Sequence, residues 1–429
     1  MAEEGPRLTT QTIGTVERAA LQRRTLGVLM TSQALGGAGL ASGFAVGALL
    51  AEEVSGSTAL AGVAAAGLSV GSAAATVPLA SLMAQRGRRP GLQLGYAIAA
   101  GGALLAVMAG VTRLFPVVVV AILLLGVASS TNLAARYAGS DLAEDHERAR
   151  AIGLLVWGTT IGVVVGPSLV DPAGRVAEAL GMDELVGPFL FATLFLVLAA
   201  VNVSIRLHPD PLVVAGGLGR SVERRWTMVR RSAGAIRAKP LAVLAVASLI
   251  VSQAVMVGVM TMTPLHMKDH QHEIHVIGFV ISAHVLGMYA FSPVVGWLVD
   301  RVGRLPMIVA AGVTLVVAAE LAGHADPERV PQLFVGLFLL GLGWSFGLIA
   351  GSSLLVDSFS VAERVGVQGT ADLAMTVAGA VGGITSGIVV SSLGFHTLAT
   401  VAAVLGVVLV VVTIAIGTGG RARRPRLAS

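Results

Sequence analysis

Between Leu241 and Asp300 the chain sets soft donor atoms at helical spacing. Met256-x-x-x-Met260 lies in one apolar run and His284-x-x-x-Met288 in the next, with His266, Met267, His270, His272 and His275 in the short segment between them. Residues four apart share one face of a helix. Thioether with imidazole is a ligand set suited to Cu(I), whereas hard ions want oxygen. With no cysteine in 429 residues, thiolate ligands, disulfides and cysteine nucleophiles are excluded. The chemistry on offer is capture and ligand exchange of a soft ion, with no covalent step, no bound cofactor and no enzymatic role. If the two runs leave the membrane near Leu265 and Val276, a rise of about 1.5 Å per residue gives a descending ladder. Met260 sits roughly 7 Å below the outer boundary, Met256 and His284 roughly 13 Å, and Met288 roughly 18 Å.

The competing reading is packing, because methionine is common filler in apolar helices and loop histidines can simply be solvated. Two observations favour a site. Five of the nine histidines fall between His266 and His284, and the repeat-related positions of the first half are Gly36, Leu40, Leu68 and Ser72. The donors are therefore peculiar to one half. His284 also lies well inside an apolar run, where an ionisable group is a functional hypothesis by default.

These residues must be positioned by membrane helices. The chain is 55% hydrophobic and 12% charged, its mean hydropathy is +0.84, and its apolar runs are of membrane-crossing length. The sequence predicts twelve spans: about 25–50, 59–83, 91–111, 116–137, 150–170 and 187–206, then 241–265, 276–298, 306–323, 332–356, 366–391 and 397–418. Residues 1–24 form a polar tail, 207–240 a basic linker and 419–429 a basic tail. No cleavable leader is evident, so the first span is expected to act as an uncleaved anchor. The many glycines, 54 in all, lie mostly inside the apolar runs, where small residues let helices pack closely.

All but four of the 29 lysines and arginines fall in the tails, the linker and alternate loops; the exceptions are Arg113, Arg175, Lys268 and Arg329. Both termini are therefore expected in the cytoplasm, with the histidine-rich segment outside. The same placement explains the pI near 10.3 without nucleic acid; the partners are the lipid bilayer and a small solute or ion. The halves repeat. Gly87-Arg88-Arg89-Pro90 returns as Gly303-Arg304-Leu305-Pro306, and Glu147-Arg148 returns as Glu363-Arg364 at the same offset. Ser32-Gln33-Ala34 returns as Ser252-Gln253-Ala254 at nearly that offset. Two parallel six-span repeats joined by a linker is the layout of a rocking carrier.

The whole chain resembles the major facilitator superfamily, and Gly296-x-x-x-Asp300-Arg301-x-Gly303-Arg304 is a full copy of that superfamily's signature loop. The resemblance implies an all-α integral membrane fold of two pseudo-symmetric six-helix bundles, with alternating access about a central cavity. It also implies that the loop latches the outward-open state, with Asp300 addressing the start of the fifth span near Arg148, where a helix dipole favours a carboxylate. The first-half copy keeps Gly87 and Arg88 but has Ala84 for the aspartate and Ala80 for the glycine, so a weaker lock is expected there. Gly153, Gly162, Gly166 and Pro167 match the spacing of an antiporter signature in the fifth span, or a small-residue packing face with a proline kink. The arginine of many proton-coupled exporters in the fourth span is missing, since Ile122 precedes Gly126 by four.

Met-x-x-x-Met followed by His-x-x-x-Met resembles the paired signature of the CcoA-like subfamily, whose type members import copper and with which flavin carriers are grouped. The resemblance implies copper import through Met256, Met260, His284 and Met288 in a bacterial inner-membrane protein that works as a monomer. The alternatives are proton-coupled efflux or uptake of a small organic solute, drug-like or flavin, and a non-transporting membrane sensor. Asp372 and Glu320 are candidate carriers of a coupling proton, or structural charges. Gln33, Asn132, Asn202 and Gln253 are candidates for lining the cavity or bonding helix to helix.

Overall fold

A computed structural model describes residues 15–218, 225–270, 273–324 and 330–422. Among these residues, twelve helical spans are long and apolar enough to cross a membrane. The first half contains Thr15–Ser55, Thr58–Arg86, Arg88–Thr112, Phe115–Ala138, Arg148–Ser168 and Gly187–Arg206. The second contains Pro240–Asp269, a broken eighth span of Ile274–Tyr289 and Ser292–Val302, then Arg304–Gly323, Val330–Asp357, Val361–Leu393 and Phe395–Ala422. Most helices outrun the apolar stretches that predict them, because backbone hydrogen bonding does not stop where side chains become polar.

Local chemistry explains the interruptions. Pro293 stands at the start of Ser292–Val302; it brings no amide hydrogen and crowds the preceding turn, so the eighth span resets there. Gly87 and Gly303 each end one helix and begin the next at φ +95° and +107°. A side chain is strained at such angles, so glycine lets the chain reverse at a single residue. The linker holds two short helices, Pro211–Val214 and Arg225–Arg237, and the second lies on the eleventh span, where Ser232 and Met228 meet Gly366.

Each half centres an apolar cluster to which the facing span of the other half adds residues, Val365 to the first and Ala149, Ile152 and Val156 to the second. Leu29, Tyr96, Leu125 and Phe189 anchor the first; Leu249, Ile308, Trp344 and Leu355 anchor the second. Between the halves, the second span packs on the eleventh and the fifth on the eighth. The backbones touch where side chains are absent: a Cβ on Gly153 would collide with the Ser292 carbonyl, and one on Gly296 would lie 2.5 Å from the Ala149 carbonyl. The described hydrogen bonds and ion pairs that join the halves all lie at the end carrying the linker. That end is latched shut.

Candidate functional site

The second-half arm of the latch is built on Asp300. Its carboxylate accepts from the amides of Ala149 at 3.2 Å and Arg150 at 2.8 Å, capping a fifth span whose own N-cap residue, Glu147, makes no side-chain cap. A carboxylate is favoured at these unpaired amides. Arg304 lies 3.2 Å from Asp300 and 2.9 Å from Asp357, and Arg148 pairs with Asp357 at 2.8 Å. Arg304 also donates to the Asp145 carbonyl at 2.6 Å. Arg301, expected in the latch, instead lies over the Trp297 ring at 5.1 Å.

The first-half arm, where Ala84 stands in place of the aspartate, is built on other contacts. Arg88 holds Asp141 through two bonds of 2.8 and 3.0 Å and reaches across the halves to Gln368 Oε1 at 2.8 Å. The eleventh span, the end that an aspartate at position 84 would cap, is capped by its own Ser360 and Glu363 instead. Burial pushes the Asp141 carboxyl up, while Arg88 pulls it down.

Between the arms lies a buried ion pair. Arg136 Nη2 is 2.6 Å from Asp372 Oδ1, and the two side chains are 1% and 4% exposed. Arg136 also donates to Ser352 Oγ at 3.2 Å, the Leu133 carbonyl at 2.8 Å and Tyr137 Oη at 3.2 Å. From its position near a span end Arg136 reads as an ordinary linker-side arginine; its burial is a correction that depends on the eleventh span arriving opposite it. A small cavity lined by Thr76, Ser130, Tyr137, Gln368 and Asp372 adjoins the pair.

Toward the middle of the membrane, the two repeat-related glutamines occupy matching niches. Gln33 Nε2 donates to the carbonyls of Asn132 at 3.2 Å and Leu155 at 3.5 Å, between the first, fourth and fifth spans. Its Oε1 is buried without a partner, and Tyr96 Oη donates to Asn132 Oδ1 at 2.9 Å. Gln253 Oε1 accepts from Trp344 Nε1 at 2.7 Å, beside Gly379 of the eleventh span. Tyr289 meets the Trp344 ring edge-on at 5.7 Å. Asn202 serves packing, donating to the Val28 carbonyl and Ser32 Oγ.

The methionine and histidine set is distributed among several environments. Met256 and Met288, each 8% exposed, belong to the apolar cluster around Trp344, while Met260 packs at the edge of another cluster. His284 is 2% exposed, with Nδ1 3.0 Å from the Leu337 carbonyl of the tenth span, so Nδ1 is its protonated nitrogen. His266 and Met267 are not in a loop: the seventh helix continues to Asp269, and Met267 is buried in its core. His266 stacks on Phe395 at 4.4 Å and meets His270 edge-on at 4.4 Å. His272 lies outside the described residues; His275 is in the eighth span, but its side chain lies outside them.

Of the remaining candidates, Gly162 and Gly166 face the first span, where Ser42 Oγ donates to the Gly166 carbonyl at 3.1 Å, and Pro167 stands where the fifth helix ends. Glu320 sits at the far end of the ninth span, 3.2 Å from His324 Nδ1. Sequence reasoning passed over Asp141, Asp357, Gln368, Tyr289 and Trp344. The two aspartates had a signal, since they are related by the same repeat offset as Arg88 and Arg304.

Two six-span bundles with a latched face define a membrane carrier. The sequence pattern of the Major Facilitator Superfamily matches residues 25–273 and 244–428, and the chain belongs to that superfamily. It is 39% identical to the uncharacterized MFS-type transporter YdeG of Bacillus subtilis, over 93% of each chain. It is 28% identical to the riboflavin transporter RfnT of Brucella anthropi, over 89% of this chain and 92% of that one. Among solved structures, the human organic anion transporter MFSD10 (TETRAN) superposes with a TM-score of 0.72 at 16% identity, covering 91% of this chain and 99% of that chain. An outward-facing bacterial homologue of the iron transporter ferroportin gives 0.70 at 14%, covering 92% and 99%.

Proposed function

We propose that this chain carries a small organic solute with a planar, hydrogen-bonding ring, of which a flavin is an example. Transport is by alternating access across a bacterial plasma membrane, with the linker in the cytoplasm, the side where the arginines concentrate. The observation that carries the reading is the pair of repeat-related glutamines, Gln33 with an unpartnered buried Oε1 and Gln253 held by Trp344. One amide from each half, that of Gln253 beside the aromatic rings of Trp344 and Tyr289, supplies hydrogen-bonding and stacking groups for such a solute. The similarity to a riboflavin transporter over 89% of this chain points the same way. Opening the linker side has to break the Arg136–Asp372 pair, so protonation of Asp372 would couple a proton to the movement.

The soft-metal reading is the rival. Against it, Met256 and Met288 sit in the apolar cluster around Trp344, while Met260 packs at the edge of a different one. The test is accumulation of labelled riboflavin, and separately of copper, in cells expressing the chain at matched abundance. Flavin flux that depends on the chain is expected, with a fall of about tenfold in Gln253→Leu and little change in a variant carrying Met256→Leu, Met260→Leu, His284→Leu and Met288→Leu. Copper accumulation that depends on the chain and is lost in the quadruple variant, with no flavin flux, would overturn the proposal.

A further inference from the structure

At the face opposite the linker, three elements of the second half bring imidazoles together that no sequence motif connects. His324 closes the ninth span and His396 begins the twelfth, and their rings meet edge-on with centroids 4.5 Å apart. His396 follows Phe395, on which His266 of the seventh span stacks. Both rings of the His324–His396 pair are oriented through the same nitrogen. His324 Nδ1 lies 3.2 Å from the Glu320 carbonyl oxygen and 3.2 Å from the Glu320 carboxylate; His396 Nδ1 lies 3.3 Å from the Gly323 carbonyl. Because a carbonyl oxygen can only accept, the Nδ1 atoms carry the protons, leaving Nε2 on each neutral ring with a free lone pair.

We infer that His324 and His396 form a chelating site for a divalent transition metal such as Zn²⁺ on the face opposite the linker, with Glu320 orienting His324 from behind. The Nδ1–H contacts to a carboxylate or carbonyl are those that ligating histidines make, fixing the tautomer and raising the basicity of the coordinating nitrogen. Two imidazoles on one tetrahedral ion, each with a metal–nitrogen bond of about 2.1 Å, place their ring centres about 5 Å apart, close to the 4.5 Å between the His324 and His396 rings. Among the described residues no group of three histidine, aspartate or glutamate side chains is placed to hold an ion, and the proposed site counts two described donors, with solvent in the rest of the shell. Both ligands belong to one half. The ion would tie the ends of the ninth and twelfth spans without spanning the gap that opens and closes. The site is independent of the carried solute.

The experiment is titration of the purified full-length chain, free of any histidine tag, with ZnCl₂ against a chromogenic chelator at pH 7.4, together with thermal unfolding. One saturable equivalent is expected that raises Tm. His324→Gln and His396→Gln should each weaken it at least tenfold and abolish the Tm shift, and Glu320→Gln should weaken it about tenfold by releasing the orienting contact. His270→Gln, in the neighbouring cluster, should leave it unchanged. No saturable equivalent in the native chain, or one that survives both His324→Gln and His396→Gln in folded protein, overturns the site.

Discussion

Arg88 with Asp141 and Arg304 with Asp357 are one pair repeated in the two halves, but their surroundings differ. The first pair is 1% and 0% exposed, the second 15% and 28%. Arg88 crosses to the other half through a neutral Gln368. The second arm crosses with charge, through Asp300 at the fifth span and Arg148 at Asp357. The helix ends explain the asymmetry. The fifth span lacks a cap of its own and takes one from Asp300 in the other half; the eleventh span starts with Glu363 bonded to the amide and hydroxyl of its own Ser360, a local cap where Ala84 supplies none. The halves share a fold but divide the latch into a sealed, neutral contact and a wet, charged one.

The largest effect should come from the pair between the two arms. Asp372→Asn leaves Arg136 buried without a counter-charge, a loss of about 3–5 kcal/mol. Thermal unfolding should show it, and Asp372→Leu combined with Arg136→Leu should recover most of it. A single variant as stable as the native chain would mean the pair contributes nothing to the closed state.

Next come the two aspartates of the arms. Asp141→Asn should cost about 3 kcal/mol in the same assay, whereas Asp357→Asn should cost under about 1 kcal/mol, since partly exposed ion pairs are weak. Equal losses would remove burial as the distinction between the arms.

The smallest effects test the caps. Asp300→Asn should weaken linker-side closure by about 1 kcal/mol, read as faster labelling of a single cysteine placed at Val156, a clean probe because the chain has no native cysteine. Ala84→Asp should change labelling little in the native background and slow it only when Ser360→Ala removes the eleventh span's own cap. A strong effect of Ala84→Asp alone would return the lock deficit to Ala84.

Much of the fold was legible. Twelve apolar runs, the arginine bias and the internal repeat require twelve helices in two related bundles, because in lipid every backbone amide must be satisfied within its own helix. Gly87 and Gly303 stand out in the sequence as members of a repeated motif; that each reverses the chain at a single residue follows from their positive φ. The break at Pro293 has a sequence signal in its mid-span proline, whereas the seventh helix runs on through His266 and Met267 because polar side chains do not stop backbone hydrogen bonding.

The site was legible only in part. The loop motif picked out Asp300 and its arginines, but gave Arg301 a latch role where the structure stacks it on Trp297. Arg136 looked like one more linker-side arginine, while its partner Asp372 lies far along the chain, in the other half, and 3% exposed. The sequence by itself determined the helices, their number, their repeat and the side on which charge accumulates, because each depends on the local balance of apolar and polar residues along one chain segment. Which charges are sealed, which helix end borrows its cap, and that His324 meets His396 were decided by tertiary structure alone. Those properties belong to pairs of residues far apart in sequence, and only the packing of one helix against another fixes their separation and their access to water.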